Sequence, residues 1–310
     1  IVEVAALSQY CLLAARYLAM ILIAFLLKIA GVLCSSDRRV IGSIIMNVTL
    51  PSVIITSFAS TKMDLWFLVC FVLGVLFNLI LLILPLLFTR KCHSTIRALW
   101  AVSAPGYNLG NITLPFLQNI FPDGIPFLTL FDAGDSLITF GGTYMVASAL
   151  LHRNERVHLC GLLKTLLSST PFVTYLVMIF LSCLHFHIPD ALYEFFSFCG
   201  ESNAFLAMTL IGISLDFRPE GVRYRFVVAL LLFRLATSVV FSLVIYCLFP
   251  SAPLAMRQCL SIAFFSTITN VSLVYAGQLQ LDVTTMSLCS TISTLLNIPL
   301  LAIVSGIVLT

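Results

Sequence analysis

Two long stretches of this chain carry no charged side chain yet are interrupted by clustered polar residues. The first, 98–122, holds Asn111-Ile112-Thr113-Leu114-Pro115; the second, 258–281, holds Asn270-Val271-Ser272-Leu273. Stretches this long and apolar belong in a bilayer, where every backbone N–H and C=O must be satisfied inside the protein. Proline, together with Asn, Thr and Ser side chains that compete for backbone partners, works against a continuous helix. Irregular backbone at mid-depth survives only where protein or a water-filled cavity covers it. Paired interruptions in two halves of a membrane chain therefore predict a binding site between two broken helices.

The chain is 60% apolar and 9% charged with a mean hydropathy of +1.10, whereas soluble domains carry about 25% charged residues. An all-α integral membrane fold follows. Ten segments are long and apolar enough to span: 8–33, 40–58, 65–89, 96–120, 126–150, 161–184, 190–215, 222–249, 254–278 and 283–308. The first has no small-residue cleavage pattern behind it and reads as a span, not a signal peptide. Connections are short, so no soluble domain is expected. The ten cysteines are scattered, without C-x-x-C or metal spacing, and act as small hydrophobes. No metal and no bound cofactor is expected.

Lysine and arginine set the orientation. The connections after segments 1, 3, 5 and 7 hold eleven: Arg38, Arg39, Arg90, Lys91, Arg97, Arg153, Arg156, Lys164, Arg218, Arg223 and Arg225. Those after segments 2, 4, 6 and 8 hold two, Lys62 and Arg257. The odd-numbered loops are expected in the cytoplasm of a cell-membrane protein, with both termini outside. Five segments per half is an odd number, so halves of like fold, 1–155 and 156–310, must enter the membrane with opposite orientation, as an inverted repeat. The echo N-[IV]-[TS]-L recurs 159 residues apart, at Asn111 and Asn270.

Several short motifs, in order over nearly the whole length, resemble the auxin efflux carrier family, which includes the PIN-like and bacterial malate/malonate-type carriers. They are Asn47-Val48-Thr49-Leu50-Pro51 in segment 2, the segment 4 break ending in Leu114-Pro115, and Phe131-Asp132-Ala133-Gly134-Asp135. Ile211-Gly212-Ile213-Ser214-Leu215, the turn from Ala276-Gly277 to Asp282, and Leu296-Asn297-Ile298-Pro299-Leu300 complete the set. Two positions depart from the family pattern: segment 9 lacks a proline at its break, and Asp135 stands where the family usually has Asn. The resemblance implies ten helices in a 5+5 inverted repeat with broken, crossing helices 4 and 9, a fold like that of bile acid–sodium symporters and sodium–proton antiporters. It also implies an elevator-type carrier of small organic anions. Helices 1, 2, 6 and 7 would form a scaffold, and helices 3–5 and 8–10 a transport unit.

Asn108, Asn111 and Thr113 flank the first interruption, and Thr269, Asn270 and Ser272 the second. Half-helix N-termini offer free N–H groups that favour anions, and Asn amides add neutral donors; helix–helix glue is the bland alternative. Asn111 and Asn270 are expected to hold a carboxylate, with Pro115 fixing the break and Asn47 and Asn203 adding to the pocket. Asp132 and Asp135, placed at the start of segment 5, either cap that helix or carry a proton; two close carboxylates resist simultaneous ionisation, which suits a proton carrier. Glu201 is a further coupling candidate, or it pairs with Arg16 or Arg234; alternatively Arg234 attracts the anionic cargo. His185 and His187 read as surface histidines, and Lys28 as a snorkelling lysine.

No nucleophile elbow, phosphate-cradling glycine loop or protease flank occurs, so an enzyme is not expected, and the loops are too short for a nucleic-acid surface. The expected partners are a small organic anion and the lipid bilayer, with a homodimer open. Proton or sodium coupling is open too. The alternatives are a sodium-coupled symporter or sodium–proton exchanger on the same fold, and a sensor that binds a small molecule without moving it.

Overall fold

A computed structural model describes residues 2–34, 36–59, 64–151, 167–184, 186–215 and 221–309. Lys62, Arg153, Arg156, Lys164, Arg218 and His185 lie outside the described residues. Within the described residues, the backbone is helical, apart from loops and one isolated antiparallel bridge. Among the described residues, six helical stretches are long and apolar enough to cross a membrane: Gln9–Ile29, Asp37–Ala59, Leu65–Phe88, Asp190–Ser214, Tyr224–Leu248 and Val283–Leu309. Their outward faces carry large apolar side chains such as Phe88, Phe198 and Ile307, each about three-quarters exposed. An exposed apolar surface of that extent suits lipid as the surrounding solvent.

The chain runs as α1 (Val2–Ile29), then α2 (Asp37–Ile44) and α3 (Leu50–Ala59) joined by a π-turn at Ile45–Thr49, then α4 (Leu65–Phe88). Asp64 starts α4 by accepting the Leu65 N–H, an N-cap. The next stretch is broken: α5 (Ser94–Ser103), an unwound piece, a π-turn at Leu109–Thr113, and α6 (Leu114–Ile120). After it come α7 (Ile125–Leu137), a third π-turn at Ile138–Gly142, and α8 (Thr143–Leu150). The second half has α9 (Thr170–Cys183), α10 (Asp190–Glu201), α11 (Asn203–Ser214) and α12 (Tyr224–Leu248). It ends with a second broken stretch, α13 (Leu254–Ala263) and α14 (Val271–Gln278), and α15 (Val283–Leu309).

The most intimate packing joins α4 to α7. A β-carbon on Gly74 would come within 2.2 Å of the Phe131 carbonyl oxygen, and one on Gly134 within 2.0 Å of that of Phe71. Reciprocal glycines let the two backbones touch, the usual route to tight association where lipid removes the hydrophobic drive. Elsewhere α1 packs on α11 and α15, and α3 on α9 and α10.

The first break does not fall where the sequence pointed. Residues 104–108 unwind around Pro105 and Gly106, one turn before Asn111. Pro105 has no N–H to donate and disfavours helix at Ala104, and Gly106 takes φ +82°, which glycine adopts freely. Pro115 follows the π-turn at Leu109–Thr113, which runs directly into α6. It lies inside the second half-helix, beyond the unwound piece, and does not set the break.

Candidate functional site

The two unwound pieces cross. Tyr107 pairs antiparallel with Ile268, and the Asn108 N–H donates to the Thr267 carbonyl at 3.0 Å. Phe77, Phe131, Phe241 and Phe264 pack around the crossing with ring centroids 4.4–5.6 Å apart.

One side of the crossing gathers the carbonyls that end α5 and α13, and Arg234 of α12 satisfies them. Its guanidinium donates to Ala104 O at 2.8 Å, Gly106 O at 2.9 Å, Ser266 O at 3.2 Å and Thr267 O at 3.5 Å. It also lies over the Tyr107 ring, 4.7 Å from the centroid. A buried cation between two half-helix C-termini is electrostatically favoured. Among the described residues, the hydrogen bonds of Arg234 therefore go to carbonyls. Glu201 and Arg16 are exposed, and among the described residues neither pairs with the other or with Arg234. Glu201 is not part of the site.

Asn78 of α4 ties the first break to α7. Its Oδ1 accepts the Gly106 N–H at 2.8 Å, and its Nδ2 donates to the Asp135 carbonyl and to Thr139 Oγ1, both at 2.9 Å. Asp135 Oδ2 accepts from Thr139 Oγ1 at 3.2 Å and from the Tyr107 N–H at 3.4 Å. Its Oδ1 is buried without a partner. Asp132 Oδ2 accepts from the Tyr175 hydroxyl of α9 at 2.8 Å. Both acids lie well inside α7, not at its start, so helix capping does not account for them.

A cavity of about 330 Å³ opens on the other side of the crossing. Among the residues lining it are Asn108, Asn111, Asp132, Asp135, Thr269 and Asn270, so six of the sequence-derived candidates meet there. All three π-turns border it, through Met46, Leu109–Asn111, and Thr139 with Phe140. A π-turn adds one residue to a helix and recurs at functional sites; here each redirects side chains around one space. Arg38 and Arg39 line the end nearest the α1–α2 connection.

The remaining candidates lie elsewhere. Asn47 accepts from Thr170 Oγ1 at 2.6 Å and donates to the Ser43 carbonyl, joining the π-turn before α3 to α9. Asn203 accepts from Thr49 Oγ1 at 2.8 Å in the packing of α11. Thr113 and Ser272 are buried, and their hydroxyls have no partner among the described residues. Pro115 meets Tyr17, whose hydroxyl donates to its carbonyl at 2.7 Å. Lys28 donates to the Leu215 carbonyl at 2.7 Å, closing the end of α11, and His187 is exposed. Tyr107, Asn78, Thr139 and Tyr175 were not anticipated. Pro105-Gly106 and the lone amide in the apolar run of α4 were the signals available.

Residues 13–163 match the family model described as membrane transport protein. The match covers just under half of the chain and is similar in kind to the auxin efflux carrier resemblance drawn from the motifs. No curated protein matches the chain. The matched stretch runs from α1 past α8 and contains the first break, both α7 carboxylates, Asn78 and the three π-turns. The multi-pass membrane character read from the helices agrees with the family.

Proposed function

We propose that this transporter is a secondary carrier of small organic anions, carboxylates in particular, working by elevator-type alternating access, and not an enzyme. The observation that carries the reading is the cavity at the crossing of the two broken helices. A volume of about 330 Å³ lies within the range of small-molecule sites. Two half-helix N-termini and the amides of Asn111 and Asn270 border it, supplying donors for a carboxylate without a buried cation.

Matching hydrogen bonds support the 5+5 inverted repeat of 1–155 and 156–310. The bridged residue of each break donates its N–H to the helix that follows its broken stretch: Tyr107 to Asp135 of α7, and Ile268 to Ser293 Oγ of α15 at 3.1 Å. In this reading α1, α2–α3, α9 and α10–α11 form the scaffold, and the remaining helices move the site. A second cavity of about 580 Å³, lined by Thr56, Asp64, Gln118 and Asp123, lies at the opposite ends of the same segments. The arginine-rich end containing Arg38 and Arg39 is assigned to the cytoplasm, which makes the conformation inward-open.

Proton or sodium coupling is a second component of the reading, favoured by the buried, unpartnered Oδ1 of Asp135. The test is flux of labelled dicarboxylates and indole-3-acetate into proteoliposomes under a proton gradient, a sodium gradient or a membrane potential. Flux that follows one of these and vanishes in Asn111→Ala or Asn270→Ala, with folding intact, is the expected result. Normal flux in both variants would remove the site assignment. Binding without flux would make the protein a sensor.

A further inference from the structure

We propose that the cargo is a zwitterion, an amino acid with an aromatic side chain, held by its ammonium on Asp132 and by its carboxylate at the starts of the second half-helices. The inference rests on the carboxylate reading above and adds the second charge. Two acids line the cavity, Asp132 and Asp135. Asp132 is part-exposed and uses Oδ2 for Tyr175, while its Oδ1 takes no hydrogen bond from any described residue. Asp135 is 2% exposed with one oxygen unpartnered. Arg234, the nearby cation, is committed to four carbonyls. A simple anion entering this space has no hydrogen to offer these acid oxygens. A cargo bearing its own ammonium makes a charge-assisted hydrogen bond to them as well.

The anion end has its own partners. Asn111 donates one amide hydrogen to Asn108 Oδ1 at 2.9 Å, and the side chain of Asn270 has no partner among the described residues. The first N–H groups of the π-turn at Leu109–Thr113 lack intrahelical acceptors, as at any helix start. Arg38 and Arg39 add attraction at the loop end. Phe140, Phe172 and Tyr175 line the cavity beside these polar groups and suit a planar side chain.

The experiment is calorimetric binding to the purified full chain of three indole compounds matched in ring: tryptophan, indole-3-propionate and tryptamine. Tryptophan should bind roughly tenfold or more tightly than either truncated compound. In Asp132→Asn the advantage of tryptophan over indole-3-propionate should disappear, while Tyr175→Phe, which keeps the charge, should retain it. Equal binding of indole-3-propionate and tryptophan by the unmodified protein would overturn the zwitterion and leave the carboxylate reading standing. Binding of tryptamine alone would overturn both. Binding of none of the three would overturn the aromatic zwitterion, while dicarboxylate flux tests the carboxylate reading separately. The ranking in the unmodified protein decides the question even if Asp132→Asn fails to fold.

Discussion

Gly106 and Arg234 carry the crossing at the scale of single residues. A β-carbon at Gly106 would lie 2.6 Å from Thr269 Cγ2 and 2.9 Å from Thr139 Oγ1, on a backbone at φ +82°. Gly106→Ala should therefore lower stability by about 1–3 kcal/mol, read as a drop in the thermal unfolding midpoint of the purified protein. Arg234→Met removes the donor shared by four buried carbonyls and should lower stability by roughly 3 kcal/mol or more. Arg234→Lys keeps the charge but lacks the planar fork that reaches several carbonyls at once, so it should recover only part of the loss. Equal unfolding midpoints for Arg234→Met and the unmodified protein would show that the carbonyls find other partners. The sequence marked Arg234 as an intramembrane charge but suggested a carboxylate partner, because the converging carbonyls exist only after two half-helices have been brought end to end.

At the scale of elements, short polar phrases proved ambiguous between binding and packing. Asn47 and Asn111 each begin the phrase N-[VI]-T-L-P, and both lie in π-turns. Asn47 points its amide to Ser43 and Thr170 and stitches neighbouring elements, whereas Asn111 borders the cavity. Asn47→Ala should change stability by about 1 kcal/mol or less and leave flux unchanged. Asn78→Ala should behave otherwise. It strips the Gly106 N–H, the Asp135 carbonyl and Thr139 of one partner together, so a loss of about 2–4 kcal/mol and of flux is expected in paired unfolding and transport assays. No periodicity in the apolar run of α4 distinguishes the face holding Asn78 from the lipid face. The π-turns were equally invisible, since one extra backbone residue leaves no mark on a uniformly apolar pattern.

For the whole molecule, an elevator requires that the proposed scaffold and transport unit separate and slide. Two tyrosines supply polar contacts between them. Tyr17 of α1 donates to the Pro115 carbonyl and accepts from Asn119 Nδ2 at 3.0 Å, and Tyr175 meets Asp132. Tyr17→Cys combined with Asn119→Cys, bridged by a short bis-methanethiosulfonate reagent from which each thiolate displaces a sulfinate, should stop flux without altering binding, and reduction of the two disulfides should restore it. Flux that persists through the bridge would count against relative movement of these two units.

Residue chemistry alone determined that the chain lives in a bilayer, because a chain with so few charges and such long apolar runs cannot present a soluble surface. It also marked two helices as interrupted, because polar clusters and proline inside uncharged runs compete with the helical ladder, and it selected six of the residues that meet at the cavity. Tertiary structure decided the rest. Gly106 is required at the first break because Thr269 of the opposing unwound piece and Thr139 of the π-turn after α7 leave no room for a side chain. Asn47, Asn203 and Glu201 fell outside the site because helix rotation and π-turns, fixed by packing against neighbouring helices, determine which way a polar side chain faces. Arg234 became a clamp because two helix ends from distant parts of the chain bring their carbonyl dipoles to one point, an arrangement that no local stretch of sequence contains.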